Sequence, residues 1–410
     1  VTGATHDPAI TARRLEIARA AAARYDYPAL ALKTIAITGT NGKTTTVNIL
    51  RALLDLPESP AASIGTLGVL VGSEGRVIPG GLGLTTPGPD ELQRVLRELV
   101  NDGVSSVAME VSSHALHQHR VHGVTFDAAV FTNITRDHLD YHGTMEEYFA
   151  AKAELVGYLK ESGVAVVNAD QPEWESLPTA PRLLTYGIQS GDVRAEDISF
   201  DATGSSWTLR HGGDSTQVRL PLLGDFNVIN AVAAVSAALA VGMPLDALAR
   251  SLAVVPQIPG RLELIAESPP IIRDYAHTPD ALVRALAALR PFVSGKLILV
   301  FGAGGDRDPG KRPLMGAAAE AGADRVIVTS DNPRTEDPEA IIDEIERGMA
   351  LRHDRESDRR KAIARAIQIA QPGDTILLAG KGHETYQVVG TEKRDFDERK
   401  VVAELLGLVQ

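Results

Sequence analysis

Short apolar runs alternate with amphipathic stretches along most of this 410-residue chain. Residues 1–8 suggest a short strand and turn, and Ile10 to Arg24 (ITARRLEIARAAAAR) is dense in strong helix formers. From Thr34 the order becomes regular. Ile35 to Ile37, Val104 to Val111, Ala128 to Asn133 and Val164 to Asn168 read as buried strands, with helices over Leu92 to Val100 and Met145 to Lys160. Residues 183–222 are strand-like with Gly and Asp turns and predict an antiparallel appendage, followed by a helix over Phe226 to Val241. Two prolines and a glycine in Val255 to Arg261 (VPQIPGR) mark a boundary. Beyond it, Ile271 to Tyr275, Lys296 to Phe301, Arg325 to Thr329 and Thr375 to Ala379 look like strands. Ala281 to Leu289, Ala340 to Arg347 and Arg360 to Ile369 look like helices. This alternation predicts an α/β fold. A residual segment covers 1–33, a central domain with a mostly parallel sheet 34–258, and a smaller doubly wound, Rossmann-like domain 259–410.

Composition narrows the class. Apolar residues make up 44%, enough for sizeable cores, and the net charge of −12 argues against non-specific nucleic-acid binding. The absence of cysteine excludes disulfides and thiolate metal sites. Val228 to Leu245 is the most apolar long stretch, but it carries Asn230 and Ser236 and reads as a buried helix rather than a membrane span. No signal-peptide pattern opens the chain. A cytoplasmic protein without nucleic-acid or membrane partners is expected.

Candidate chemistry begins at Thr34 to Val47, TIAITGTNGKTTTV. An apolar strand, a glycine loop and a helix-compatible segment follow one another, which is the order of a nucleotide phosphate cradle and makes the central domain P-loop-type. Glycines let backbone N–H groups turn around anionic oxygens, and a helix N-terminus adds partial positive charge. Lys43 would reach the β/γ-phosphates, and the Thr44 or Thr45 hydroxyl would ligate Mg²⁺. The general G-x-x-x-x-G-K-[ST] pattern is not met, because its first glycine falls on Ile37. A tight turn before a helix is the plain alternative.

Other clusters sit at strand ends, where ligands gather in open α/β sheets. Glu110, in MEVSSH, is placed to ligate Mg²⁺ or is a surface carboxylate. Asn133 to His142 packs Asn, Arg, two Asp and two His into ten residues. There His138 is either a hydrogen-bonded imidazole or a metal ligand. Lys152 lies in an apolar helical stretch and reads from the residues alone as a snorkelling side chain. Thr85 and Thr86 follow a glycine-rich loop, a turn that could instead hold substrate. In the last third, Asp274 to Pro279 (with His277), Gly302 to Asp308, Asp331 to Arg334 and Gly380 to Glu384 end four successive strands. A dinucleotide-binding reading of Gly302 to Gly305 fails, since G-x-G-x-x-G breaks at Arg307.

Together these residues resemble the Mur ligase family, the ATP-dependent amide ligases of peptidoglycan precursor synthesis. The likeness covers nearly all of residues 30–410. It rests on TGTNGKTT, MEVSSHALHQHRV, FTNITRDHLDYHGTMEEYFAAK, LLGDFNVINAVAA, PGRLE, DYAHTPDAL, GDRDPGKRPLM, DNPR and GKGHE, and is strongest to members that add the third residue of the stem peptide. The resemblance implies ATP bound by Gly39, Thr40, Asn41, Gly42, Lys43, Thr44, Thr45, Asn230, Arg261 and Asp274. It implies Mg²⁺ held by Thr44, Glu110, His138 and Lys152, the lysine as a carbamate. Lys43, Glu110, His138, Lys152 and His277 would form the catalytic set. Thr85, Thr86, Ser112, Gln118 and Arg120 would hold the muramoyl-peptide acceptor. Arg307, Asp331, Asn332, Arg334, Gly380 and Glu384 would take the incoming amino acid. DNPR suits meso-diaminopimelate, because an arginine fork pairs bidentately with the distal carboxylate that lysine lacks. The implied reaction is phosphoryl transfer to the D-Glu γ-carboxylate of UDP-MurNAc-L-Ala-D-Glu, then attack by the amine, in a monomer whose domains close over both substrates.

The sequence departs from the family upstream. Members carry a first domain that grips the uridine end of the acceptor, and VTGATHDP looks like its opening, yet Pro8 and Ala9 stand where Ser and Arg are usual and only 33 residues precede Thr34. Two further readings therefore stay open: the same chemistry on a peptide acceptor without UDP, and a non-catalytic nucleotide-binding scaffold.

Overall fold

The computed structural model describes residues 7–81, 83–201 and 203–408. Most of the strand and turn expected over 1–8 lies outside them, and Pro8 already opens a helix, Pro8–Arg24, capped by the Asp7 carboxylate. The chain divides into two compact units, one of Val1–Pro221 with Asp225–Pro256, the other of Gln257–Gln410 with Leu222–Gly224. Residues 7–33, expected as a remnant of a separate domain, belong to the first unit. Helix Pro8–Arg24 packs on helix Pro89–Asn101, and the Arg97 guanidinium donates to the carbonyls of Tyr25 and Asp26.

Among the described residues the first unit holds one eleven-stranded sheet. Its strands are β1 (Lys33–Thr38), β2 (Ala61–Gly65), β3 (Gly68–Val71), β4 (Arg76–Ile78), β5 (Ser106–Glu110), β6 (Phe126–Phe131), β7 (Leu159–Asn168), β8 (Arg182–Gly187), β9 (Val193–Asp201), β10 (Gly204–His211) and β11 (Asp214–Leu220). The spatial order is β11-β10-β9-β8-β7-β6-β1-β5-β2-β3-β4. The centre from β8 to β2 is parallel. It is apolar on both faces, as a sheet covered by helices must be: Ile35, Ala36, Ile37, Val107, Ala108 and Met109 are all fully buried. Helix Pro89–Asn101 covers it with a stripe of Leu92, Val95, Leu96 and Leu99, and carries Asp90 and Glu91 at its positive end. Helix Lys43–Leu54 packs on the alanine-rich helix Asp225–Ala240, whose small side chains permit a close approach.

Two expectations are corrected. Residues 183–222 are not an appendage: β8 and β9 continue the main sheet in parallel, and antiparallel pairing starts between β9 and β10 and continues to β11. Trp207, Leu209 and Leu220 give this end a buried face of its own. The helix expected over Met145 to Lys160 stops at Ala153, passes through a 3₁₀ turn at Glu154–Tyr158, and gives way to β7. Gly157 weakens helical continuation, and Lys160 is drawn to the sheet by Asp127, at 2.8 Å.

The second unit carries β12 (Glu263–Glu267), β13 (Pro270–Asp274), β14 (Leu297–Phe301), β15 (Arg325–Val328), β16 (Asp354–Arg355) and β17 (Thr375–Ala379) in the order β12-β13-β17-β14-β15-β16. All neighbours except β12 and β13 are parallel. The carboxyl ends of β13, β17, β14 and β15 therefore share one edge, which receives the four polar clusters. A hairpin of β18 (Tyr386–Val389) and β19 (Glu392–Asp395) follows. Helices Leu245–Leu252, Lys311–Gly322 and Glu398–Leu405 were not anticipated. Among the described residues no helix is long and apolar enough to cross a membrane.

Candidate active site

The loop between β1 and helix Lys43–Leu54 is fixed from outside. Gly39 and Gly42 have φ of 145° and 87°. A Cβ on Gly39 would run into the Thr132 hydroxyl, and one on Gly42 into the Asn230 side-chain carbonyl. The residues after β6 hold the loop in reciprocal fashion. Thr40 N donates to Asn133 O at 2.8 Å and Asn41 N to Asn133 Oδ1 at 2.9 Å. Thr132 Oγ1 and Asn133 Nδ2 donate back to Asn41 O at 2.7 and 3.1 Å. Sequence reasoning noted Asn133 only as part of a polar cluster and passed over Thr132; the signal was their place directly after a strand neighbouring β1. Lys43 opens the helix, and its ammonium donates to Gly39 O and Thr40 O, each at 2.8 Å. Thr45, in the first turn, is buried.

Glu110 ends β5 with 1% exposure. Its Oε2 accepts from Thr44 Oγ1 at 3.1 Å and Thr66 Oγ1 at 3.2 Å, and its Oε1 from Thr66 N at 2.8 Å. A buried carboxylate against a loop hydroxyl offers hard oxygen donors, which fits Mg²⁺.

Lys152 lies in the last turn of helix Met145–Ala153, capped by Thr144, and is 1% exposed. It does not snorkel. Its Nζ donates to Gly39 O at 2.7 Å and stands 4.5 Å from the Tyr148 ring centroid. Burial, reinforced by the nearby Lys43 ammonium, holds the amine well below the usual lysine range. The Tyr148 hydroxyl meets Thr40 Oγ1 at 3.1 Å. His138, in left-handed conformation at φ 54°, packs on the other rings here, 4.8 Å from His114 and 6.2 Å from Tyr148. Thr44 thus meets Glu110 directly, while His138 and Lys152 gather round Tyr148. Among the described residues no three His, Asp or Glu side chains stand ready as a metal cluster.

The acceptor candidates form one network. Thr85 Oγ1 accepts from Thr66 Oγ1 at 3.3 Å. Arg120 donates to Gln118 Oε1 at 2.6 and 3.0 Å and to Thr86 O at 3.0 Å. Thr86 is fully buried, and its hydroxyl donates to Glu110 O and accepts from Ser112 N. That side chain is engaged in joining the network to Glu110.

In the second unit, Arg261 stands 4.7 Å from the Tyr275 ring centroid. Asp274 accepts from Leu262 N at 2.7 Å and Ala276 N at 2.8 Å, and burial raises its pKa. The His277 imidazole shares a 2.8 Å hydrogen bond with Tyr275 O, and its carbonyl accepts from Lys311. The four strand-end clusters interlock. A Cβ on Gly380 would run into Asp331 Oδ2, and one on Gly302 would run into Thr329 O. Asn332 Nδ2 donates to Glu384 Oε2 at 2.8 Å. Arg334, at φ 53°, donates to Gly305 O at 2.7 Å. Burial and then repulsion from Arg307 lower its pKa. Two guanidinium groups close enough to repel suit an anionic ligand group.

Comparison with known proteins covers most of the chain. The Mur ligase middle domain matches residues 37–238, and the Mur ligase, glutamate ligase domain matches residues 260–382. The UDP-N-acetylmuramoyl-L-alanyl-D-glutamate–2,6-diaminopimelate ligase of Synechococcus elongatus is 47% identical over 392 residues, 93% of this chain and 78% of that protein. The protein of the same name from Geobacillus kaustophilus is 46% identical over 402 residues, 95% and 81% of the two chains. A solved structure under that name has a TM-score of 0.63 at 39% identity, covering 92% of this chain and 78% of its own. A MurF ligase from Thermotoga maritima in complex with ADP has a TM-score of 0.70 at 21% identity, covering 91% and 80%, which speaks to the fold alone.

Proposed function

The chain belongs to the Mur ligase family, and we propose that it is the ATP-dependent, ADP-forming ligase that joins meso-diaminopimelate to the D-Glu γ-carboxylate of UDP-MurNAc-L-Ala-D-Glu. The observation that carries this reading is the 47% identity to a diaminopimelate ligase over 93% of the chain. The candidate site supports it in three places.

Gly39 to Thr45 bind the triphosphate, with Asn230 closing the loop. Lys43 leaves its two carbonyls to meet the γ-phosphate, where charge spreads as the substrate carboxylate attacks. The step forms an acyl phosphate and releases ADP. The diaminopimelate amine then adds to the acyl carbon, and phosphate departs as the amide forms. Positioning does most of the work in such a reaction.

Thr44 and Glu110 would hold Mg²⁺, with His138 and a Lys152 carbamate completing the set. When bound, the cation neutralises phosphate charge. Lys152 suits carbamate formation because its amine is buried, and burial and the nearby Lys43 ammonium disfavour its charged form. A neutral amine can add to CO₂, forming an N–C bond and losing a proton. Thr85, Ser112, Gln118 and Arg120 orient the acceptor, with Thr86 behind them. Arg307 and Arg334 take the distal carboxylate of diaminopimelate, Asp331 and Glu384 its ammonium groups, and Asn332 and Gly380 shape the pocket. His277 belongs to the loop that orders the nucleotide side.

ADP release tests the reading. It is expected with UDP-muramoyl-dipeptide plus meso-diaminopimelate, and at least ten times more slowly with L-lysine. Equal rates for the dipeptide with and without UDP would move the assignment to a peptide ligase. No acceptor-dependent ADP release with any pair would remove the ligase reading altogether.

A further inference from the structure

Lys381 is fully buried although it sits in the middle of a loop at a strand end. Its neighbours explain how. Gly380 and Gly382 have φ of 111° and 54°, and a Cβ on Gly382 would run into the Tyr275 side chain. The two glycines turn the chain so tightly that the lysine between them folds under its own loop. Burying an ammonium is costly unless it is paired and hydrogen-bonded. Here Lys381 Nζ donates to Asn332 Oδ1 at 3.2 Å and to Glu384 Oε2 at 3.1 Å. Asn332 Nδ2 also donates to Glu384 Oε2, at 2.8 Å, and Asn332 Oδ1 accepts from Val388 N at 2.9 Å. The DNPR loop and the GKGHE loop therefore meet at one ammonium, and the hairpin strand β18 joins them through Asn332.

This arrangement treats the two oxygens of Glu384 differently. Oε2 takes two donors from below. The side chain is 15% exposed, so the carboxylate is anchored at one oxygen and still reaches the surface. We propose that Lys381 is a positioning residue that, with Asn332, locks the Glu384 carboxylate so that its other oxygen is presented to an ammonium group of the amino-acid substrate. The inference rests on the ligase reading and adds a part to the amino-acid pocket. Lys381 would not touch substrate itself. It would act through Glu384, and the loss of its charge would be felt in amino-acid binding rather than in ATP binding.

Lys381→Met, Glu384→Gln and the double variant, each in the full chain, form the test. Steady-state kinetics and thermal unfolding are measured for all three. Lys381→Met is expected to raise KM for meso-diaminopimelate about 10- to 100-fold, the size of one charge-assisted hydrogen bond. KM for ATP and for the acceptor should stay within about twofold. In the Glu384→Gln background the same change should add less than about threefold, because groups acting as a unit are not additive. An equal rise in all three KM values, or full additivity, overturns the proposal.

If Lys381→Met alone does not fold, the double variant is expected to regain a cooperative transition, since it leaves no unpaired buried charge. Failure of the double variant to recover it would show that the lysine does not act through Glu384. The unfolding cycle needs no activity. Wild type without diaminopimelate-dependent ADP release sinks the ligase reading, while Tm coupling between positions 381 and 384 still decides the pairing.

Discussion

Lys152 pays a desolvation cost that an alanine-rich helix does not require, and this makes it the most telling single residue. An ordinary structural lysine would keep its head in water. This one points its amine at Gly39 O, beneath the phosphate loop. Lys152→Ala is expected to lose at least ~100-fold in kcat, in the range seen for loss of one electrostatic stabiliser. Its Tm should stay level or rise, because a buried amine is removed. With ¹³C-bicarbonate, wild type should show a carbamate carbon resonance that Lys152→Ala lacks. Full activity in the variant would remove the carbamate from the mechanism. Glu110→Gln makes a contrasting case. The amide keeps the shape but replaces one acceptor oxygen by a donor that faces the Thr44 and Thr66 groups now donating to Glu110. Activity should fall by ~100-fold or more and should not be restored by raising Mg²⁺, as measured by ADP release across a magnesium titration.

At the scale of elements, the phosphate loop shows what glycine spacing can and cannot reveal. The missing first glycine of the general pattern corresponds to Ile37, which is a fully buried strand residue here. The loop instead uses glycine at 39 and 42, where Thr132 and Asn230 close in. Gly42→Ala should therefore suffer twice, from a left-handed φ of 87° and from contact with Asn230. The backbone alone costs about 1–2 kcal/mol, so a lower Tm and a KM for ATP raised at least about tenfold are expected. Gly83→Ala is the control: its φ is 96° but nothing stands within 4 Å. It should leave KM for ATP unchanged, and equal effects of the two would mean that contact with Asn230 is irrelevant. Strands were legible because buried parallel strands are short apolar runs, such as Ile298 to Phe301. Helix Lys311–Gly322 was not, because Pro313 and Gly316 obscure its periodicity. Pro313 is harmless in the first turn, where its missing N–H would be unpaired. Gly316 is needed where the helix crosses Ile345 O. Tertiary contacts, invisible in the local pattern, decided that element. The network joining Thr85, Thr86, Gln118 and Arg120 could be grouped only by resemblance, because its members are spread over 36 residues and meet through the sheet.

For the molecule as a whole, the two units have separate cores. Phe126, Phe131, Trp174 and the sheet around them build one. Ile271, Ile298, Val300, Ile327, Ile376 and Leu378 build another. All six residues of the proposed amino-acid pocket lie between 307 and 384, within the second unit. A fragment of residues 257–410 should therefore fold cooperatively by itself and keep that pocket, including Lys381. At a ligand concentration of 100 Kd, binding adds about 2.7 kcal/mol to stability. For a domain of this size each kcal/mol shifts Tm by about 2–4 °C. Near-saturating meso-diaminopimelate should accordingly raise the fragment's Tm by about 5–10 °C. L-Lysine at the same concentration should shift it by much less, because Arg307 and Arg334 would be left without the distal carboxylate. The same fragment carrying Arg334→Met should no longer distinguish the two amino acids. Equal shifts with both ligands in the unaltered fragment would take the selectivity away from the arginine pair. A fragment that folds but responds to neither would mean that the pocket is not built from the second unit alone.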